Sequence, residues 1–109
     1  MSAEPILRAS NEAGERYDDP SEDLLLELLT ELAEGNSFLI VERLDMGDHF
    51  MQTVTDGKGS FVVEYREGPK ESHRATTIDS VRTVHEVMTK WAFGLPGWQD
   101  DRVWTPVRY

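Results

Sequence analysis

At 109 residues, with 39% apolar and 29% charged residues, no cysteine and a net charge of −10, the chain has the composition of one acidic globular domain. A domain of this size buries roughly 60 to 70% of the surface its unfolded chain exposes, enough for one modest core. The missing cysteines exclude disulfides, thiol catalysis and sulfur-based zinc sites, and the longest apolar runs, LLL and FLIV, fall far short of the ~20 residues of a membrane-spanning helix.

The charge is uneven. Residues 1–34 carry ten acids against two arginines, whereas the rest carries eleven acids against nine bases. A field of this sign repels phosphate backbones, so direct binding of nucleic acid is not expected, and it favours encounter with a basic partner. The opening MSAEPILRAS has Glu4 where a secretion signal is basic, and no long apolar stretch follows, so the expected location is cytoplasmic.

In chain order, PILRAS reads as a short strand and NEAGERYDDP as a flexible polar loop, which makes residues 1–18 a strand plus loop at the start of a single domain over 1–109. A helix follows at about 20–34. Asp19 is placed to cap it, Pro20 suits its first position, Glu22 suits a capping box and Gly35 marks the stop. Leu25, Leu28, Leu29 and Leu32 recur at i, i+3, i+4 and i+7 and seek a core, while Glu27, Glu31 and Glu34 face mostly water.

Four extended runs come next, SFLIVERL (37–44), DHFMQTVT (48–55), SFVVEYRE (60–67) and ESHRATT (71–77), separated by DMG, DGKG and GPK. Connections this short predict an antiparallel meander, because parallel crossovers need a dozen or more residues. Phe61, Val63 and Tyr65 alternate with Val62, Glu64 and Arg66, which predicts one buried and one mostly solvated face. A second helix fits DSVRTVHEVMTKWAFG, capped by Asp79 and closed near Gly94, with an apolar stripe of Val81, Val84, Met88 and Trp91. RVWTPV reads as a short last strand that Pro106 confines to an edge or an end. The expected class is α+β: an antiparallel meander of four to six strands with two amphipathic helices packed on one face.

Chemistry is sparse. His49, His73 and His85 share no metal-binding spacing, and His85 borders the stripe of the second helix, as a structural histidine would. His73 and Glu64 face each other across the hairpin around GPK, which has the form of half a general-base pair and is more often a cross-strand contact. There is no GxSxG, DGKG lacks the setting of a phosphate loop, and no carboxylate pair stands in contrasting environments. No catalytic residue, metal or cofactor is expected. Trp91 belongs to the core, and Trp98 and Trp104, which flank an acidic turn, read as core-packed rings pinning a returning tail to the sheet. A base-stacking platform would want cations where Asp100 and Asp101 stand.

FLIVERL, MQT, FVVEYREGPKESHRATT, a helix ending WAFG, then PGW and a final VWTPV together resemble the first Imm family of immunity proteins of bacterial polymorphic toxin systems, over roughly residues 24–107. The resemblance implies an α+β fold, no catalysis, and a cognate toxin domain, often a nuclease or nucleic-acid deaminase, that the protein binds and occludes. It carries over no contact residue. An acidic inhibitor suits a toxin with a basic cleft, and acids in loops are best placed for it: Asp45 and Asp48 in the first hairpin, Glu67 and Glu71 in the third, Asp100 and Asp101 after Trp98. An orphan regulatory or assembly module of the same fold, and a small-ligand binder, are the alternatives.

Overall fold

The computed structural model describes residues 4–34, 38–55, 58–100 and 102–107. The chain runs β1 (Leu7–Asn11), β2 (Arg16–Asp18), α1 (Glu22–Ala33), β3 (Phe38–Arg43), β4 (His49–Thr55), β5 (Phe61–Glu67), a single helical turn (Lys70–Ser72), β6 (Arg74–Ile78), α2 (Val81–Ala92) and β7 (Thr105–Pro106). Among the described residues seven strands form one sheet in the order β2-β1-β3-β4-β5-β6-β7, with antiparallel neighbours throughout. The architecture is the expected α+β one, with a sheet larger than the expected four to six strands.

The two-residue period of the strands and the 3.6-residue period of the helices meet in one core. Leu7 and Ala9 of β1, Leu39 and Val41 of β3, Met51 of β4, and Phe61, Val63 and Tyr65 of β5 point to one side of the sheet and are buried there. Leu25, Leu28, Leu29 and Leu32 of α1 and Val84, Val87, Met88, Trp91 and Ala92 of α2 close over them. Burial of each leucine is worth about 1.5–3 kcal/mol, so α1, whose isolated sequence would be marginal, is held by packing. Both helices lie on this face, and Glu27, Glu31 and Glu34 are exposed on the outside of α1.

The extra strand lies in the segment expected to be a loop. Asn11 accepts the N–H of Gly14 and donates to Glu15 O, Gly14 takes φ +83°, and Arg16–Asp18 return along β1. The Arg8–Asp18 ion pair at 2.8 Å, exposed on the outside of this ribbon, joins the two strands. One aromatic, Tyr17, between two charged residues is too short an alternation for a strand to be recognised by.

Both helix caps differ from expectation by being closer to the helix. Ser21, not Asp19, caps α1 by accepting from Leu24 N at 3.1 Å, and Ser80, not Asp79, caps α2 by accepting from Thr83 N. Asp19 is occupied elsewhere: its carboxylate accepts the backbone N–H groups of Ile6 at 2.8 Å and Leu7 at 3.0 Å, and its own N–H bonds Leu7 O, which ties the start of β1 to the entry of α1. The run 71–77 begins with the Lys70–Ser72 turn, so β6 starts only at Arg74 and extends to the buried Ile78. The stop expected at Gly35 lies outside the described residues.

The tail forms the clasp foreseen from the tryptophans, but only Trp91 is buried. Trp98 and Trp104 are partly buried and pack against the core through Tyr65, with ring centroids 4.8 and 4.9 Å from it in edge-to-face geometry and 5.7 Å from one another. They cannot bury fully because they lie past the end of α2, where one side of each ring meets solvent. Gln99 locks the set, its side-chain amide donating to the Tyr65 hydroxyl and its carbonyl accepting from Trp104 Nε1. Val107 N then bonds His73 O and fixes the chain beyond β7.

Two stability tests follow from these contacts. Ser21→Ala should cost about 1 kcal/mol in urea unfolding, while Asp19→Ala, which orphans two amides, should cost about 2 kcal/mol. If Ser21→Ala were silent and only Asp19→Ala destabilised the protein, the cap assignment would be wrong. Trp104→Ala should cost about 2–3 kcal/mol, less than the 3–5 typical of a fully enclosed ring.

Candidate functional site

Four connections converge at one end of the sheet: the entry to β1, the β3–β4 turn, the β5–β6 loop and the exit from α2. Antiparallel pairing brings them there, since Leu7 lies opposite Arg43 and His49 opposite Glu67. The β3–β4 turn closes through Gly47 and Asp48, with φ of +57° and +38°, and aspartate is among the few non-glycine residues that tolerate this region. Asp48 O accepts from Gly68 N at 3.1 Å, which welds this turn to the β5–β6 loop. In that loop Arg66 Nε donates to Gly68 O at 2.7 Å and the Ser72 hydroxyl bridges Glu67 N and Pro69 O.

These bonds hold the side chains of Asp45, Asp48, Glu67 and Glu71 outward, all four exposed. The structure therefore brings four of the six sequence-predicted contact acids to the same end. Asp100 is separate: it lines a cavity of about 360 Å³ between α2 and the tail, together with Lys90 and Arg102. Asp101 lies outside the described residues. Asp19, read in the sequence as a helix cap and not as a contact acid, lies at this end on the β1 side.

Arg43 sits in the middle. Its Nε and Nη2 face the two carboxylate oxygens of Asp45 at 3.3 and 3.4 Å, and its Nη1 reaches Ala92 O at the C-terminus of α2. The hydrogen bond from Arg43 holds the Asp45 carboxyl below the ordinary aspartate value, against an opposing effect of desolvation. As an exposed pair it contributes little to stability, and its effect is to fix where the charge points.

Around Arg43 the surface is apolar. Ile6, Met46, Phe93 and Leu95 are 50, 49, 45 and 51% exposed. Phe93 and Leu95 owe their position to the end of α2, where Gly94 takes φ +70°, its N–H bonds Trp91 O and Leu95 N bonds Lys90 O. This is a Schellman closure, in which the residue at the position of Leu95 commonly packs on an apolar partner one turn back. Here that partner is Lys90, so Leu95 projects outward. Sequence reading missed these four residues; the available signal was large apolar side chains at turn positions, Met46 in LDMGD and Phe93 and Leu95 in WAFGLPG.

The other groups considered for chemistry make contacts within the fold. His73 is buried on the opposite face of the sheet, its Nε2 3.2 Å from Glu64 Oε1 and its ring edge-on to Phe50. His85 Nε2 lies 2.9 Å from Glu22 O and links α2 to the first turn of α1. Among the described residues no three or more His, Asp or Glu side chains are placed to hold a metal ion, and no helix is long and apolar enough to cross a membrane. Comparison with protein-family models, curated proteins and solved structures finds no match to this chain.

An NMR titration checks the geometry at Arg43. The Asp45 carboxyl should titrate below an ordinary aspartate, and Arg43→Met should return its midpoint toward 3.8. A lowered carboxyl pKa stabilises the folded state above the unfolded value and is lost as pH falls through the folded one, so the pair should open only in acid below about pH 4. An unchanged midpoint in Arg43→Met would show that the two side chains do not pair in solution.

Proposed function

We propose that the protein is a non-catalytic immunity protein that binds a cognate bacterial toxin domain and occludes its basic cleft. The observation that carries this reading is the convergence of Asp45, Asp48, Glu67 and Glu71 on two turns welded together by backbone bonds. Acids held in place before encounter lose little freedom on binding, and a fixed negative patch on a chain of net charge −10 steers a basic partner toward it. The resemblance of FVVEYREGPKESHRATT and the spaced tryptophans to immunity proteins supports the same reading. A nuclease or a nucleic-acid deaminase is the class of toxin whose phosphate-binding cleft this charge would complement. The cytoplasm, where such a toxin would act, is the corresponding location.

Co-expression with the toxin domain encoded beside this gene should protect cells, and continued killing at high levels of this protein would refute the assignment for that pair. In the purified complex, the combined substitution Asp45→Asn, Asp48→Asn and Glu67→Gln should slow association by about tenfold or more at low salt while changing dissociation less, and added salt should reduce the difference. An association rate insensitive to these charges would move the contact surface elsewhere.

A further inference from the structure

The apolar surface around Arg43 lies between two cavities, and the two share that residue. One, of about 290 Å³, is lined by Ile6, Leu7, Pro20, Ala92 and Phe93 with Asp19 at its edge. The other, of about 260 Å³, is lined by Met46, Trp91, Leu95, Pro96 and Trp98 with Glu67 at its edge. Each is smaller than the roughly 300–1,000 Å³ of a typical small-molecule site and open to solvent, which suits a single large side chain more than an enclosed ligand. Apolar floors ringed by charge, on loops whose backbone is already fixed, are the arrangement of an interface centre with its polar rim.

The surroundings are mostly negative. Asp19 lines one cavity and Glu67, with His49, the other, Asp48 lies in the same turn as Met46, Arg43 between the cavities is matched by Asp45, and the carbonyl end of α2 adds the negative pole of a helix. A second copy of this chain would bring the same acids face to face, and an anionic lipid surface would be repelled, so neither suits the rim. We infer that this end of the protein is a docking groove for a polypeptide segment that carries two large apolar side chains flanked by lysine or arginine, the apolar pair entering the cavities on either side of Arg43 and the cations meeting the acidic rim. The inference rests on the proposed function only in locating where on this chain a basic partner is gripped. The steering acids set the rate of encounter, whereas the apolar cavities set the lifetime of the complex.

The test uses the intact protein and a synthetic helix-forming peptide with leucines on one face and lysines elsewhere, compared with a scrambled peptide of the same composition and one with glutamate in place of lysine. In NMR titrations the lysine peptide should shift the side-chain signals of Ile6, Met46, Phe93 and Leu95 together, the scrambled peptide should do so weakly and the glutamate peptide not at all. Phe93→Ser with Leu95→Ser should weaken binding by about tenfold or more, as for loss of interface anchors. Both residues are half exposed, so the variant is expected to fold; Met46→Ser, in an exposed turn, gives a second reading of the same groove. Shifts confined to the acidic face of α1, equal binding of the scrambled peptide, no binding, or groove shifts that follow protein concentration instead of peptide would each overturn the inference, the last by assigning the surface to self-association. Because no toxin is used, failure here leaves the co-expression result standing, and failure there leaves this one.

Discussion

Among the described residues a seven-stranded sheet has two twelve-residue helices, both on one face, and that asymmetry governs the rest of the molecule. Side chains alternate along every strand, so a slip of one residue between β4 and β5 would turn Met51 and Val63 outward and bring Gln52 and Glu64 under the helices. The cost of burying such groups unpaired fixes the register. Once the register is fixed, the positions of all four connections at the Arg43 end are fixed too. The proposed contact surface is thus a by-product of the core: its loops lie where they do because Leu39, Val41, Met51, Val63 and Tyr65 must share one side.

What could be read from the sequence follows the strength of each local signal. The leucine spacing of α1, the stripe of α2 and the alternation in FVVEY are enforced by burial and were plain in the chain, as was the role of the tryptophans in holding the tail. The caps were displaced because aspartate and serine are nearly equal as caps, and only the tertiary structure reveals that the Asp19 carboxylate is spent on the amides of Ile6 and Leu7. The strand at Arg16–Asp18 escaped because a short polar edge needs only a partner backbone, and sequence pattern records side chains.

For the surface, charge was legible and shape was not. Acids in loops are visible by inspection, and four of them do meet. That Ile6, Met46, Phe93 and Leu95 also meet there depends on pairing between segments as far apart as residues 6 and 95, which no local pattern reports. Met46 and Leu95 taken singly are ordinary exposed apolar residues; their meaning comes from adjacency. The arginine between them is equally silent in the sequence, since its partners are a turn carboxylate two residues on and the end of a helix 49 residues away.

The two outer strands bear on how any partner can attach. β2 has three residues, two of them charged, and β7 has two, of which Pro106 has no N–H to offer. Among the described residues neither outermost strand is itself long enough for a foreign strand to zip along, which is a common way for sheets to recruit peptides and also to aggregate. Under the proposed docking at the Arg43 end, recognition would rest less on main-chain pairing, which is nearly blind to sequence, than on side chains at the end of the sheet. Selectivity between close variants of a partner would then be written in a few side chains, so a change of partner would require changes in the loops and strand ends and leave the sheet's pairing as it is.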